Sequence, residues 1–500
     1  MRRIAIIDIG SNSIRLVIFE ITPTNSFKAI EDVKESPRLG EGVNETGLMK
    51  DKRMEVAYHT LMLFKRMCER YKVDEVITFA TAAVRNSKNA KYFTDLVKDQ
   101  LQMDIEVFSG EDEALFSFKG AINSLEVGEG LLMDMGGAST ELVWYKDRQV
   151  HKWVSLNFGS VTLSQIAQVK DSLSSKDEKT LKDYVKEQYR QVPWLNQCRD
   201  LPLIGVGGTI RNLAKVHSLF TDYPLLLLHD YRLRKEDISK VYKEIKNLTY
   251  EDKLTLPGLA TSRADIFTGA VLAIGELINY ASLTEVVISG YGIREGVLYK
   301  KLNEYGRDLT NVFETSLFDI IQHYSLSSTD GERVYSLFNK ILDALYPLHK
   351  IDDITDSIIR TICFMGRVGV NISFHDYPLH SYYMILNAEL RGISHRDITK
   401  AALIVSQQEK FNTLHKNYKE LLNKKDLSEI NYLSLILRIS KILNRVFLLN
   451  SEDFHIEVDD SRVKICIDTG ELMDVQISRM LMSGKRFREI YKRQLEVIKK

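Results

Sequence analysis

One pattern near the start of the chain occurs twice, and it limits the fold more than any other feature. Apolar residues run up to an aspartate, a glycine follows among short hydroxyl and amide side chains, and a second apolar run begins. The first copy sets Ile4, Ala5, Ile6 and Ile7 before Asp8, then Gly10, Ser11, Asn12 and Ser13, then Leu16, Val17, Ile18 and Phe19. The second sets Leu131, Leu132 and Met133 before Asp134, then Gly136, Gly137, Ala138, Ser139 and Thr140, then Leu142, Val143, Trp144 and Tyr145. Short continuous apolar runs read as strands buried on both faces. A plain hairpin needs only a turn residue or two, so the extra polar density predicts a loop that holds a ligand. Two copies predict two similar domains, each offering one loop to a shared cleft.

The rest of the first 300 residues alternates strand and helix, which predicts helices packed on a sheet. Ala57, Leu61, Phe64, Cys68 and Tyr71 recur at helical spacing, "EVITFATAAVRN" and "DIEVFSG" read as strands, and "EDEALFSFKGAI" reads as a helix. Two more glycine turns follow, in "LIGVGGTIRNLA" and "EVVISGYGIREGVLY". From about Asn303 glycines thin out and helical periodicity takes over, with a strand-like patch at "HIEVDDSRVKICIDT" before a basic terminal helix. The expected organisation is a first α/β domain over 1–124, a second over 125–302 and a helical domain over 303–500, sizes that each allow a filled core.

Composition removes several function classes. The 68 basic residues balance 68 acidic ones, so no global field points to nucleic acid or membrane. The four cysteines, Cys68, Cys198, Cys363 and Cys466, lie far apart without paired spacing, which argues against zinc and against a disulfide framework. No apolar run approaches the roughly 18 residues of a membrane span, and Asp8 interrupts the first apolar stretch too early for a signal peptide. A cytoplasmic location is expected. Two local basic runs stand out: eight Lys or Arg against three acids over 391–425, and seven against two over 485–500. Each reads either as a solvated helical face or as a rail for a polyanion.

The two loops carry a specific chemistry. Gly10, Gly136 and Gly137 free backbone N–H groups to line up on an anion, and Ser11, Asn12, Ser13, Ser139 and Thr140 add side-chain donors. Asp8, Asp134 and Glu141 supply hard oxygen ligands of the kind Mg²⁺ takes while it bridges to substrate phosphates.

These segments, in order over about residues 3–300, resemble the exopolyphosphatase and guanosine pentaphosphate phosphatase family, a branch of the actin, sugar-kinase and heat-shock-chaperone superfamily. The resemblance lies in "IDIGSNSIRLVI", "ATAAVRN", "SGEDEALF", "MDMGGASTEL", "GVGGTIRNLA" and "SGYGIREGVLY". It implies two ribonuclease H-like, actin-type α/β domains flanking a cleft, and a homodimer. Glu113 matches the family's proposed general base, a role suited to a carboxylate on a rigid helix. Arg85 matches a cationic contact near the phosphates, with a surface salt bridge as the alternative. Gly207, Gly208 and Thr209 match a turn that lines the cleft or lies against a nucleotide. Gly290, Gly292, Arg294, Glu295 and Gly296 read as hinge and packing residues. Ala138 stands where the family commonly has a third glycine, at a cost of roughly 1 kcal/mol if that position needs a positive φ.

The helical tail resembles the family's long members through "NISFHDYPLHSYYMILNAELRGIS", part of a domain related to the His-Asp metal phosphohydrolases. Phe364 and Met365 occupy the place of a His-Asp pair, "VSQQEKF" lacks the expected "YH", and Lys441 and Asn444 replace acids. His375, Asp376 and His380 remain but do not by themselves make a metal cage. A catalytically silent domain that lengthens the substrate groove is expected.

The resulting reading is an exopolyphosphatase that hydrolyses the terminal phosphate of inorganic polyphosphate with Mg²⁺ and a metal-bound, carboxylate-activated water. The alternative enzyme reading is a guanosine pentaphosphate 5′-phosphohydrolase, since both substrates end in a phosphoanhydride. A polyphosphate or alarmone sensor is the non-enzyme alternative, and the presence of Glu113 weighs against it.

Overall fold

The computed structural model describes residues 1–166, 172–407, 413–446, 453–467 and 474–499. It divides into two compact units, Met1–Val312 and Phe313–Lys500. Among the described residues no helix is long and apolar enough to cross a membrane.

The first unit holds two sheets built on one plan. Strands β1 (Arg2–Ile9), β2 (Ile14–Ile21), β3 (Phe27–Glu35), β4 (Glu75–Ala80) and β5 (Glu106–Val107) lie in the order β3-β2-β1-β4-β5. Strands β6 (Glu129–Met135), β7 (Thr140–Lys146), β8 (Gln149–Leu156), β9 (Leu203–Val206), β10 (Arg232–Arg234) and β11 (Glu285–Ile288) lie in the order β8-β7-β6-β9-β11-β10. In each sheet the acid-led strand pairs antiparallel with the next strand and parallel with a later one. The register places Asp8 opposite Arg15 and Asp134 opposite Glu141. Alternate residues of β1 enter two different cores. Ala5, Ile7 and Ile9 join Leu61 and Phe64, whereas Ile4 and Ile6 join Phe79 and Phe108. That two-sided burial explains the unbroken apolar runs.

Packing does not follow the chain cuts at 124/125 and 302/303. The helix Gly110–Ile122, placed with the first domain by sequence order, lays Ala114, Phe118, Ala121 and Ile122 on Leu132, Val143 and Ile204 of the second sheet. The helix Ile293–Glu304, placed with the second, lays Val297, Leu298 and Leu302 on Ile4, Ile6 and Val17 of the first. The two helices cross in direct backbone contact: a Cβ at Gly120 would overlap the Gly292 carbonyl, and one at Gly296 would overlap that of Phe116. Glycine is required there for close approach, so the packing role expected of Gly292 and Gly296 is correct. Residues 303–312 also stay with the first unit, where Arg2 stacks over Tyr305 and Arg148 donates to the Leu309 carbonyl.

The second unit is not all helix. Its helices, among them Ser328–His349, His395–Gln407 and Lys424–Leu443, are joined by a small sheet of β12 (Phe454–Val458), β13 (Arg462–Ile467) and β14 (Gln494–Lys499). The expected basic terminal helix is confined to Gly484–Tyr491, after which the chain turns into β14 and pairs parallel with β13. Phe364 and Met365 are buried, Lys441 Nζ donates to the Gly366 carbonyl at 2.8 Å, and Asn444 pairs with Asp330. His375 and Asp376 lie on the surface.

The basic run over 391–425 does not form a free rail at its start. Arg391 is buried against Asp319 at 2.6 Å, Arg396 holds Asp426 at 2.7 Å, and Lys400 is buried between Asp426 and Glu429. In the run over 485–500, Arg486 donates to Gln407 and Ser434, and Arg493 to the Asp459 carbonyl. Lys410, Lys500, the 408–411 part of "VSQQEKF" and the last two residues of "HIEVDDSRVKICIDT" lie outside the described residues.

Candidate active site

The two acid-led hairpins close identically, by Gly10 N–H to the Ser13 carbonyl and Gly136 N–H to the Ser139 carbonyl, each at 3.0 Å. None of Gly10, Gly136, Gly137 or Ala138 takes a left-handed φ, so Ala138 costs nothing in backbone strain. The glycines serve contact instead. A Cβ at Gly137 would stand 3.0 Å from Ser11 Cβ, which is how the loops of the two sheets meet. They floor a cleft of about 270 Å³. Asn12 Nδ2 is buried there with no hydrogen-bond partner among the described residues, a donor left for a ligand.

Four carboxylates converge on this cleft, Asp8, Glu113, Asp134 and Glu141. Ser109 and Asp112 form a reciprocal cap on the 110–122 helix, Asp112 N–H to Ser109 Oγ at 3.1 Å and Ser109 N–H to Asp112 Oδ2 at 3.0 Å. The cap occupies Asp112 and fixes the first turn, Glu111 faces solvent, and Glu113 points inward, 8 % exposed. Arg85 Nη1 pairs with Glu113 Oε1 and donates to the Phe108 carbonyl at 2.8 Å. Burial nevertheless pushes the Glu113 carboxyl up to about 7, against the pull of Arg85 and with help from Asp134 and Asp8. Burial also raises Asp8, which Arg294 Nη1 partly offsets at 3.0 Å. Asp134 is raised by burial and accepts from Ser117 Oγ. Glu141 is raised further, by burial and by Glu113 and Asp134, and accepts from Ser155 Oγ at 2.8 Å.

A group of cations shares the cleft with these acids: Arg15, Lys34, Arg211, Arg263 and Arg294 all line it. Arg15 is bidentate on Asp32. Arg211 donates to the Gly207 and Gly290 carbonyls, both at 3.3 Å, and Arg263 to Thr209 Oγ1 at 2.9 Å. Burial pushes Arg211 and Arg263 down to about 10, with Arg294 and Arg15 adding to the effect on Arg211. Lys34 goes down to about 8 through desolvation in the cleft mouth and the like charges of Arg263, Arg15, Arg211 and Arg294. Its side chain keeps solvent contact at the rim, so the like charges are the part of that shift a bound polyanion reverses.

Asp8, Gly10, Ser11, Asn12, Ser13, Glu113, Asp134, Gly136, Gly137, Ser139, Glu141, Gly207 and Gly208 are brought together here. Three candidates stand behind the wall. Arg85 reaches Glu113 rather than the open cleft, Thr140 Oγ1 donates to the Phe158 carbonyl at 2.7 Å, and Thr209 serves Arg263. Sequence reasoning missed the cations. Arg294 was placed among hinge and packing residues, yet its guanidinium enters the cleft. A signal existed: Arg15, Arg211 and Arg294 each follow a glycine turn within five residues, and a side chain one helical or strand step past a turn returns to its mouth.

The four carboxylates fit a hard divalent cation. They are buried oxygen donors, Asp8, Glu113 and Glu141 each raised in part by a neighbouring acid, and among the described residues Asp8 and Glu113 form ion pairs with arginines. Among the described residues Asp134 and Glu141 accept from the serine hydroxyls of Ser117 and Ser155, an arrangement that leaves room for the charge of a hard divalent cation.

Paired acid-led hairpins facing across a cleft, with a buried carboxylate and a wall of cations, define a phosphoryl-transfer enzyme on an actin-type fold. The chain belongs to the Ppx/GppA phosphatase family: residues 17–305 match that family and residues 312–477 match its domain III. It is therefore a hydrolase. A bifunctional 3-dehydroquinate synthase/phosphatase of Fusobacterium nucleatum is 30% identical over 302 residues, 57% of this chain and 44% of that protein, so the chain spans less than half of that relative. A guanosine-5′-triphosphate,3′-diphosphate pyrophosphatase of Pseudoalteromonas atlantica is 26% identical over 419 residues, 81% of this chain and 80% of the relative. Among solved structures, an exopolyphosphatase from Cytophaga hutchinsonii superposes with a TM-score of 0.58 at 27% identity, covering 62% of this chain and 99% of that one. The Aquifex aeolicus member of the Ppx/GppA family gives 0.53 at 27% identity, over 61% and 99%. The actin-type fold implied by the sequence is thus the observed one, and the third domain is mainly helical with the β12–β14 sheet added to it.

Proposed function

We propose that the protein is an exopolyphosphatase that removes the terminal phosphate of inorganic polyphosphate by attack of water. The observation that carries this reading is Glu113, a buried carboxylate on a capped helix whose proton affinity sits near neutrality, where a general base works best. The Gly10 and Gly136 amides, expected to face the anion, are engaged in closing the hairpins, so the remaining loop amides, Asn12 Nδ2 and the serine hydroxyls bind the terminal phosphate. Arg294, Arg211, Arg263, Arg15 and Lys34 neutralise the phosphates behind it, and a water-poor cleft strengthens each contact. Glu113 accepts the proton of the attacking water as the bond from phosphorus to the bridging oxygen breaks, and the shortened chain leaves with the charge. Asp134 and Glu141, with Asp8 beside them, would hold Mg²⁺, which would supply charge neutralisation to the bound phosphates. Arg85 keeps Glu113 in place and ionised at working pH.

A second reading, cleavage of the 5′-terminal phosphate of guanosine pentaphosphate, is supported by the Pseudoalteromonas relative, which this chain matches over most of its length. The predominance of glycine, hydroxyl and cationic side chains along the cleft supports a bare phosphate chain. Phosphate release from the two substrates, side by side with and without Mg²⁺, separates the readings. Faster release from polyphosphate is expected, and release from neither would refute both. The family resemblance also supports a homodimer, which light scattering of the purified chain measures.

A further inference from the structure

Ser117 lies one turn beyond Glu113 on the 110–122 helix, on the same face, and is completely buried. A hydroxyl inside a helix commonly turns back to the carbonyl four residues earlier. Here the Ser117 hydrogen goes to Asp134 Oδ2, at the end of β6. The other oxygen, Oδ1, lies beside the Gly207 turn, where an added Cβ would stand 2.8 Å away and crowd it. Gly207 takes φ 95°, a conformation that already favours glycine, and it lines the cleft. The carboxylate is therefore held at Oδ2 by the serine, while the glycine keeps space free at Oδ1.

The first sheet offers the matching arrangement with a different donor. There the crossing helix Ile293–Glu304 supplies Arg294 to Asp8 Oδ2. A guanidinium cancels the charge of its aspartate, whereas a hydroxyl orients a carboxylate and leaves the charge in place. We infer that Ser117 is a positioning residue: its hydroxyl orients Asp134 for a divalent cation and ties that carboxylate to the helix that carries Glu113. A change in the helix is thereby felt by the cation-binding acid and the base together. This inference rests on the reading of Asp134 as a cation ligand.

The test uses the full chain and Mn²⁺ as the probe, with bound and free ion measured by electron paramagnetic resonance in the absence of substrate. Removing a hydrogen bond that orients a metal-binding group costs roughly 10- to 100-fold in affinity. Ser117→Ala should weaken Mn²⁺ binding by that order, and Ser117→Thr, which keeps the hydroxyl, should restore it to within about threefold of wild type, a small part of that range. Phosphate release by Ser117→Ala should recover at high Mg²⁺. A purely structural serine predicts instead a lower melting temperature with unchanged Mn²⁺ affinity per folded molecule, and that result would overturn the proposal. Equal weakening in the Ala and Thr variants would overturn it as well, since the hydroxyl would not be the operative group. Wild-type phosphate release is assayed on the same preparation. Its absence would refute the hydrolytic reading, while the Mn²⁺ affinities would still decide the role of Ser117.

Discussion

Replacing Glu113 by Gln keeps the shape of the side chain and its ability to accept from Arg85, and removes the base. Turnover should fall roughly 10²- to 10⁴-fold, the contribution of a positioned acid–base group, while affinity for polyphosphate holds or improves because one negative charge facing a polyanion is gone. Stability moves the other way in metal-free protein. The carboxyl rises from 4.5 to about 7 on folding, and at ~1.4 kcal/mol per pH unit ionised Glu113 costs the fold up to ~3 kcal/mol. A raised folded value means the stabilisation from the protonated group is complete below 4.5 and is lost as pH climbs through about 7. Without Mg²⁺ at pH 8, Glu113→Gln should therefore melt higher than wild type, and the gap should close as pH falls toward 4.5. Turnover and chelated melting curves across that window, on the same two preparations, make the comparison. Near-wild-type turnover would remove Glu113 from the chemistry, and a variant that melts lower at pH 8 would show that its charge stabilises the fold.

Three further outcomes follow. Asp134→Asn should abolish divalent-cation binding and cut turnover by orders of magnitude in a folded protein; unchanged metal dependence, read by Mg²⁺ titration, would take Asp134 out of the site. For polyphosphate, kcat/KM should rise as pH climbs through about 7, where Glu113 loses its proton, and fall past about 8, where Lys34 loses its charge; Lys34→Met should raise KM and flatten only the alkaline limb. Gly296→Ala should destabilise the first unit by about 1–3 kcal/mol, the usual range for overpacking, because its Cβ would overlap the Phe116 carbonyl; an unchanged melting temperature would mean the two helices are free to separate.

The β1 and β6 hairpins were legible because two-sided burial forces unbroken apolar runs, and Asp8 and Asp134 break them at the same register. Glu113 was legible through the resemblance carried by "SGEDEALF", and the cap of Ser109 and Asp112 that fixes its helix is what the structure adds. What sequence order hid is long-range. The exchange of the 110–122 and 293–304 helices between sheets leaves no local trace beyond Gly120 and Gly296, which look like ordinary helix glycines until the partner backbone lies against them. Arg85 was misjudged for the same reason: its motif marks it as functional, but only the fold shows that it ends on Glu113. The basic residues near 391–400 show the converse error, since charge density along the chain says nothing of the buried acids, Asp319, Asp426 and Glu429, that hold them. The sheet of β12, β13 and β14 was half visible, because β14 follows directly on a basic helical stretch and gains its pairing from β13, a parallel partner some thirty residues earlier.

The central claim is that water, activated beside Glu113, attacks the terminal phosphorus. Hydrolysis of polyphosphate in ¹⁸O-labelled water, with mass analysis of both the released orthophosphate and the shortened chain, tests it most directly. One labelled oxygen should appear in each released orthophosphate and none in the remaining chain; label in the chain, or phosphate appearing on another acceptor without orthophosphate, would rule out water attack at the terminal phosphorus.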